Sequence, residues 1–209
     1  MNSIFITFEG IEGSGKSTQV RMLVAALQKL NLPYLTTREP GGTVISEAIR
    51  TILLNPDFTE MKPETELLLY CASRAQHTGE LILPALEAGK IVICDRYFDS
   101  TYAYQGAARD LDENLIDTLT LFSTYGRIPD ITFLIDLPVE VGLARIKERQ
   151  LDRLEQENTA FHEKVRQQFL SIANKCPLRY FVLNGSDDPE LIHQKIVSAL
   201  QPLIGERND

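Results

Sequence analysis

The feature that most constrains this chain is a phosphate-loop pattern near its N-terminus. Residues 10–17 are Gly-Ile-Glu-Gly-Ser-Gly-Lys-Ser, which match G-x-x-x-x-G-K-[ST] at every fixed position. The apolar run 4–9 before the pattern is typical of a buried strand, and apolar residues recur at helical spacing from 20 to 30. Strand, loop and helix in this order favour a true phosphate loop over a glycine-rich turn with a solvated lysine.

The chemistry of such a loop suits a polyphosphate. Glycines let several backbone N–H groups face one anion, and the following helix adds the partial positive charge of its N-terminus. Lys16 can reach the β- and γ-phosphates, and the Ser17 hydroxyl can ligate Mg²⁺. We therefore predict a bound nucleoside triphosphate. Its predicted binding residues are Gly10, Ile11, Glu12, Gly13, Ser14, Gly15, Lys16, Ser17 and Thr18.

Composition limits the class of protein. The 209 residues are 44% hydrophobic and 24% charged, which predicts one globular α/β domain over 1–209. We expect neither a membrane span nor a signal peptide, because no long apolar run is present. The net charge of −8 argues against non-specific binding of nucleic acid. Three scattered cysteines favour a cytoplasmic protein without disulfides.

Strand-like segments alternate with helical segments along the chain. The predicted strands are 4–9, 34–38, 91–95, 131–136 and 180–184, and the predicted helices are 17–30, 44–54, 64–87, 112–125, 138–148, 155–174 and 188–203. This alternation predicts an α/β fold: a five-stranded parallel sheet with helices on both faces. Ligands of such sheets bind at the carboxyl ends of the strands, where the phosphate loop, Arg38 and Asp95 fall.

Charged residues near these strand ends are candidates for the site. Asp95 stands where phosphate-loop proteins place an acid near Mg²⁺, so Ser17 and Asp95 are the predicted metal residues; capping of the next loop is the alternative for Asp95. Arg96 can bind phosphate bidentately, or it can form a structural salt bridge with Asp95 or Asp99. Repulsion from the triphosphate should turn Glu12 toward a second ligand with donor groups or toward Mg²⁺.

Two further patterns are open to more than one interpretation. Tyr70 and Arg74 share one face of a predicted helix and could stack on and hydrogen-bond a base, although this pairing is also common at core edges. If the segment after Asp95 is helical, Tyr97, Thr101 and Gln105 share a face, for which an ordinary polar helix surface is the favoured interpretation.

Arginines recur every four residues at 145, 149 and 153, within a very polar segment. Charge pattern alone favours a solvated helix held by ion pairs. The alternative is a mobile lid, at about 145–157, that brings arginines over a transferring phosphoryl group and expels water.

Five segments together resemble the bacterial thymidylate kinases. They are 8–18, Thr-Arg-Glu-Pro-Gly-Gly-Thr at 37–43, Asp-Arg-Tyr at 95–97, Tyr-Ala-Tyr-Gln-Gly at 102–106 and Leu-Asp-Arg-Leu-Glu at 151–155. Their order and spacing agree with this family over almost the whole chain. The resemblance implies a phosphate-loop nucleoside monophosphate kinase that transfers the γ-phosphoryl group of ATP to dTMP. It also implies Mg²⁺ as cofactor and a homodimer.

The resemblance implies roles for individual substrate-binding residues. Tyr70 would stack on thymine, and Arg74 would hydrogen-bond it. The remaining substrate-binding residues would be Thr101 and Gln105 at the base, Arg96, Arg38 and Arg50 at the monophosphate, and Glu12, Glu39, Pro40 and Tyr104 at the sugar.

The family places its catalytic arginine either in the phosphate loop or in the lid. Here the loop interior, 11–14, has no basic residue, whereas the lid segment carries Arg149 and Arg153. The chain thus resembles the lid-arginine form, which makes the lid the favoured interpretation of 145–157. The predicted catalytic residues are Lys16, Arg96, Arg149 and Arg153.

Two other functions are weighed against this one. A deoxynucleoside kinase would need a general base beside a sugar hydroxyl and no arginine cluster for an acceptor phosphate. A GTPase-type switch would need an Asn-Lys-x-Asp element, whereas residues 174–177 are Asn-Lys-Cys-Pro.

Overall fold

A computed structural model describes residues 3–205 and contains a five-stranded parallel sheet. The strands are β1 (Ile4–Glu9), β2 (Tyr34–Arg38), β3 (Ile91–Asp95), β4 (Ile131–Asp136) and β5 (Tyr180–Asn184). Their spatial order is β2-β3-β1-β4-β5, and every neighbouring pair is parallel. The predicted fold class and the predicted strand boundaries are confirmed.

Helices connect and cover the strands. They are α1 (Lys16–Lys29), α2 (Val44–Leu54), α3 (Pro63–His77), α4 (Leu83–Glu87), α5 (Phe98–Thr101), α6 (Glu113–Ser123), α7 (Val139–Ile146), α8 (Thr159–Lys175) and α9 (Pro189–Gly205). Two π-helical segments, Thr78–Ile82 and Tyr102–Ala108, join α3 to α4 and continue α5. The segment after β3 is therefore helical, which the sequence left open. No helix within residues 3–205 combines the length and the apolar character needed to span a membrane.

The two predicted helices on either side of the arginine-rich segment, 138–148 and 155–174, are shorter in the structure. Helix α7 stops at Ile146, and α8 begins only at Thr159. Asn158 caps α8, because its side-chain oxygen accepts a hydrogen bond from the Phe161 N–H at 2.9 Å. Residues 147–158 form neither helix nor strand, so the interpretation of this segment as a solvated helix is wrong.

Apolar side chains cover both faces of the sheet. β1 is buried along its whole length, so successive residues enter opposite cores. Ile6 and Phe8 pack with side chains of α1 and α9, whereas Phe5 packs with Ile82 and Leu86 near α4. This packing holds the carboxyl end of β1 at the edge of the sheet where the phosphate loop begins.

The phosphate loop packs directly against α7. A Cβ at Gly13 would lie 2.2 Å from the carbonyl oxygen of Gly142, and a Cβ at Gly142 would lie 2.5 Å from that of Glu12. Gly10 has a φ of 138°, and a Cβ there would lie 2.5 Å from the Ile135 carbonyl oxygen. Only glycine fits these positions.

Candidate active site

A cleft of about 630 Å³ lies at the carboxyl ends of the strands. The phosphate loop forms one part of its wall, and the end of β2, α3, the turn after β3 and segment 147–158 form others. Every residue predicted for the site lines this cleft except Gly10, Ile11 and Arg153. The structure therefore brings together groups that are far apart in sequence, at the edge that the parallel sheet predicts.

Lys16 is the buried cation of the phosphate loop. Its ammonium group donates hydrogen bonds to the carbonyl oxygens of Gly10 and Ile11, each at 2.9 Å. Burial, with the nearby charge of Arg96 acting in the same direction, lowers the pKa of Lys16 to about 8, against the opposing effect of Asp95. This cation lies at the N-terminus of α1, where helix geometry already favours an anion.

Two oxygen ligands suited to Mg²⁺ lie side by side. The Ser17 Oγ donates a hydrogen bond to Asp95 Oδ2 at 3.0 Å, so both oxygens can reach one ion. Within residues 3–205, no group of three or more His, Cys, Asp and Glu side chains could hold a metal. The pair fits Mg²⁺, which takes many of its ligands from phosphate and water when it binds beside a nucleotide.

A buried carboxylate fixes the turn that carries Arg96. Arg96 has a φ of 72°, which is uncommon for a residue with a side chain. Glu9 accepts hydrogen bonds from the Tyr97 N–H at 2.8 Å and from the Ser100 hydroxyl at 2.7 Å. The Ser100 oxygen in turn accepts a hydrogen bond from Arg96 Nη1 at 3.2 Å. Glu9 thus holds both the backbone and the side chain of this turn.

Glu12 and Glu9, which flank the start of the same loop, have opposite environments. Glu12 Oε1 accepts hydrogen bonds from Arg96 Nη2 at 2.8 Å and from the Tyr104 hydroxyl at 2.5 Å. Burial is the largest single influence and opposes the charge of Glu12, but the charges of Arg96 and Lys16 and the contacts with His162 and Tyr104 together outweigh it and hold the pKa of Glu12 well below its usual range. Burial, together with the nearby Asp99 carboxylate, raises the pKa of Glu9 to about 8.

Arg74 is a fully buried cation in the wall of the cleft. Its Nε donates to Glu39 Oε2 and its Nη2 to Thr101 Oγ1, each at 2.8 Å. Its Nη1 is buried and has no hydrogen-bond partner among the described residues. Tyr70, one turn earlier on α3, and Gln105 line the same cleft. A buried donor without an acceptor is costly, so this nitrogen indicates an acceptor atom on a ligand.

Two more arginines line the cleft next to β2. Arg38 Nη2 contacts both carboxylate oxygens of Glu47 at 3.0 Å. Arg50 Nη1 donates a hydrogen bond to the Pro40 carbonyl oxygen at 2.8 Å. Burial and the charge of Arg38 lower the pKa of Arg50, and both arginines line the same cleft.

The two arginines of segment 147–158 differ in their surroundings. The Arg149 side chain is 56% exposed, pairs with Glu155 and lines the cleft. The Arg153 side chain is 8% exposed and pairs with Glu66 at 2.6 Å. Its Nε also donates a hydrogen bond to the Leu53 carbonyl oxygen at 2.9 Å. The structure brings Arg149 to the cleft but not Arg153, whose catalytic role stays a prediction that this arrangement does not favour.

Comparison with known proteins connects this geometry to a family. The thymidylate kinase family model matches residues 8–196. This chain belongs to the thymidylate kinase family. The assignment made from the sequence motifs is confirmed, and with it the prediction of a phosphate-transferring enzyme.

Individual thymidylate kinases are similar to the chain over nearly its full length. The protein from Carboxydothermus hydrogenoformans is 50% identical over 206 residues, which cover 98% of this chain and 100% of that protein. The protein from Pseudomonas putida is 49% identical over 208 residues, 99% of each chain. The crystal structure of thymidylate kinase from Ehrlichia chaffeensis has a TM-score of 0.78 and 37% identity, and the match covers 96% of this chain and 99% of that one.

In this thymidylate kinase family member, two cleft residues, Gly185 and Asp187, were not predicted, and Arg145 was predicted only as part of the arginine stripe of the lid. Arg145 donates hydrogen bonds to the carbonyl oxygens of Gly13 at 3.1 Å and Gly185 at 3.3 Å, so it joins the phosphate loop to the end of β5. Gly185 and Asp187 line the cleft. The rule that located the ends of β2 and β3 could have found them, since they follow β5 at the same edge.

A buried histidine behind Glu12 was also missed. His162 on α8 is 1% exposed, and its Nδ1 lies 3.5 Å from Glu12 Oε2. Within the described part of the chain, neither ring nitrogen of His162 nor this Glu12 oxygen has a hydrogen-bond partner. Nothing in the sequence of α8 indicates that this histidine faces the phosphate loop.

Proposed function

We propose that this member of the thymidylate kinase family transfers the γ-phosphoryl group of ATP to dTMP, giving ADP and dTDP. The observation that carries the proposal is the buried Nη1 of Arg74, a donor without a partner in the same cleft as the phosphate loop. A carbonyl oxygen of thymine is a suitable acceptor for it, and Tyr70 offers an aromatic plane on which the base can stack.

The rest of the cleft suits the phosphates and the sugar of two nucleotides. Lys16 and the N-terminus of α1 suit the triphosphate. Arg38, Arg50 and Arg96 supply guanidinium groups for the monophosphate, which arginine can bind bidentately. The sugar-binding residues in this proposal are Glu12, Glu39, Pro40 and Tyr104.

The reaction requires positioning and neutralisation of charge. The acceptor is already a phosphate oxyanion, so no general base is needed and no covalent intermediate with the enzyme forms. Lys16 and Arg149 neutralise charge on the migrating phosphoryl group. When bound at Ser17 and Asp95, Mg²⁺ supplies further neutralisation at the triphosphate.

A panel of acceptors tests the proposal. ADP formation is followed with ATP, Mg²⁺ and, in separate reactions, dTMP, dUMP, dCMP, dGMP or thymidine. We expect the highest kcat/KM for dTMP, no turnover of thymidine, and loss of activity when the metal is chelated. Preference for thymidine over dTMP would overturn the proposal in favour of a deoxynucleoside kinase.

We also propose that the protein is a cytoplasmic homodimer. Leu121 and Phe122 on α6 are 68% and 79% exposed, and Leu68 on the neighbouring α3 is 56% exposed. A second copy of the chain would remove this apolar surface from water. Sedimentation equilibrium tests the assembly, and a monomer at all concentrations would contradict it.

The cytoplasmic location is supported by the cysteines. All three are free, which suits a reducing compartment.

A further inference from the structure

One buried carboxylate connects three parts of the molecule next to the cleft. Glu66 on α3 is 1% exposed. Its Oε1 accepts a hydrogen bond from Gln105 Nε2 at 2.9 Å, and its Oε2 pairs with Arg153 Nη1 at 2.6 Å. Arg109 donates to both oxygens, from Nε to Oε1 at 3.3 Å and from Nη2 to Oε2 at 3.2 Å. Both oxygens of Glu66 are therefore engaged as acceptors.

These contacts decide which end of the Gln105 amide faces Glu66. A carboxylate paired with two guanidinium groups only accepts hydrogen bonds. The oxygen and nitrogen of a glutamine amide have nearly the same shape, so the hydrogen bonds determine which is which. Gln105 must therefore turn its NH₂ group toward Glu66. Because Gln105 lines the cleft, the group that it presents there is its carbonyl oxygen, an acceptor.

Arg74 presents the opposite kind of group to the same cleft. Its unpartnered Nη1 is a donor, and its Nη2 contacts Thr101, four residues before Gln105. Thymine has a donor at N3–H next to an acceptor at O4, whereas cytosine has an acceptor at N3 next to a donor at its N4 amino group. A donor from Arg74 next to an acceptor from Gln105 matches thymine and mismatches cytosine at both positions.

We propose that Glu66 is a positioning residue that sets the choice of pyrimidine by holding the Gln105 amide in one orientation. Arg109 and Arg153 hold Glu66 in turn, so the selection of the base depends on a network that reaches segment 147–158. The inference rests on the proposed function, because it takes the base of dTMP as the ligand of this part of the cleft.

The substitution Glu66→Gln tests the inference without changing side-chain volume. The two arginines retain the one remaining oxygen, so the new NH₂ group faces Gln105. Gln105 must then turn its carbonyl toward residue 66 and present NH₂ to the base. We expect the ratio of kcat/KM for dTMP to that for dCMP to fall about 10-fold or more, mainly through a higher KM for dTMP, with little change in the KM for ATP. An unchanged ratio, with both substrates slowed alike, would overturn the inference.

Two further variants separate this inference from the proposed function. Glu64→Gln, at an exposed position of the same helix, is the matched control and should leave the ratio unchanged. Gln105→Met should lower the ratio by itself, and Glu66→Gln added to it should have no further effect. If Gln105→Met leaves the ratio unchanged, the proposed base site is wrong. If Gln105→Met lowers the ratio and Glu66→Gln does not, only the role of Glu66 is wrong.

An NMR measurement tests the orientation without altering Glu66. The Gln105 side-chain NH₂ resonances are assigned by their absence in Gln105→Met. Because this group is buried against Glu66, we expect its hydrogens to exchange slowly with solvent, with and without dTMP. Fast exchange that becomes slow only when dTMP binds would place the NH₂ group in the cleft and overturn the inference.

Discussion

The phosphate loop and segment 147–158 both bring a cation to the cleft, but they are held in different ways. The loop follows a fully buried strand, and two of its glycines, Gly10 and Gly13, occupy places where no side chain fits. Lys16 in the loop is 8% exposed. Segment 147–158 has neither helix nor strand, and Arg149 within it is 56% exposed and held by the Glu155 side chain.

The difference indicates when each cation is needed. The packing fixes the backbone of the phosphate loop, so Lys16 is in position before any ligand arrives. This suits a nucleotide that binds to a preformed loop. Arg149 is held by a single side chain, Glu155, and its own guanidinium is largely exposed, so a charged phosphoryl group can replace Glu155 as its partner. That suits a group that closes over the acceptor once both substrates are bound. Arg153 belongs with the fixed part, because it is buried against Glu66.

The largest expected effect is from Lys16→Ala. Removing the fixed cation should lower kcat by roughly 10³-fold or more, since the charge of the transferring group loses its buried partner. The coupled ADP assay measures the loss, and circular dichroism checks that the variant is folded. Activity close to that of the unchanged protein would contradict the assignment of the phosphate loop.

Arg149→Met should have the next largest effect on turnover. We expect kcat to fall about 10²- to 10³-fold while the KM for dTMP stays within about threefold, because the arginine acts on the transition state. Thermal stability should fall by less than in Arg153→Met, because only Glu155 of the Arg149 pair is buried. Lys147→Met, at a neighbouring exposed position, is the control and should keep full activity. A higher KM with unchanged kcat would instead assign Arg149 to substrate binding.

Arg153→Met should affect stability more than turnover, the opposite of Arg149→Met. The buried Glu66 carboxylate loses one of its two guanidinium partners and keeps Arg109, so the free energy of unfolding should fall by about 2 kcal/mol. Below the melting transition, kcat should stay within about 10-fold of the original value. Chemical denaturation and the ADP assay together measure both quantities. If kcat falls as far as in Arg149→Met and stability does not change, the two arginines are equivalent and Arg153 is catalytic.

The smallest expected effect is on the pH dependence of the protein's stability, to which Glu9 and Glu12 contribute in opposite directions. The folded pKa of Glu12 lies below its ordinary value of 4.5, so its contribution to stability is present above pH 4.5 and is lost as the pH falls. The folded pKa of Glu9 is raised from 4.5 to about 8, so its contribution is present below pH 4.5 and is lost as the pH rises through 8.

Melting curves recorded from about pH 4 to about pH 9 test these two opposite pH dependences of stability. Glu12→Gln should lose less stability than the unchanged protein on acidification. Glu9→Gln should show a flatter profile between pH 4.5 and pH 8. Differences of a few degrees in Tm are expected. Parallel profiles for the two variants would contradict the opposite environments of these carboxyls.

Much of the fold and of the cleft could be predicted from the sequence. The strand boundaries agree with the structure, because each strand is a short run of apolar or β-branched residues between clear breaks. The parallel arrangement then placed Arg38, Asp95 and the phosphate loop at one edge. The π-helical segment Tyr102–Ala108 was left open, since its mixed tyrosine, glycine and alanine sequence has no clear helical period.

What could not be predicted depends on partners from distant parts of the chain. Arg149 and Arg153 have similar polar neighbours in sequence, and only the buried position of Glu66 makes their environments differ. Local charge pattern contains no information on which carboxylate is buried. The same applies to His162, whose proximity to Glu12 arises from the packing of α8.

The contact between Gly13 and Gly142 has a mechanical consequence. At this point the backbone of the phosphate loop touches the backbone of α7, with no side chain between them to absorb a displacement. Helix α7 leads directly into segment 147–158. If closure of the predicted lid involves a tilt of α7, the tilt would displace the phosphate loop as well, and the binding of the two nucleotides would be coupled through this contact.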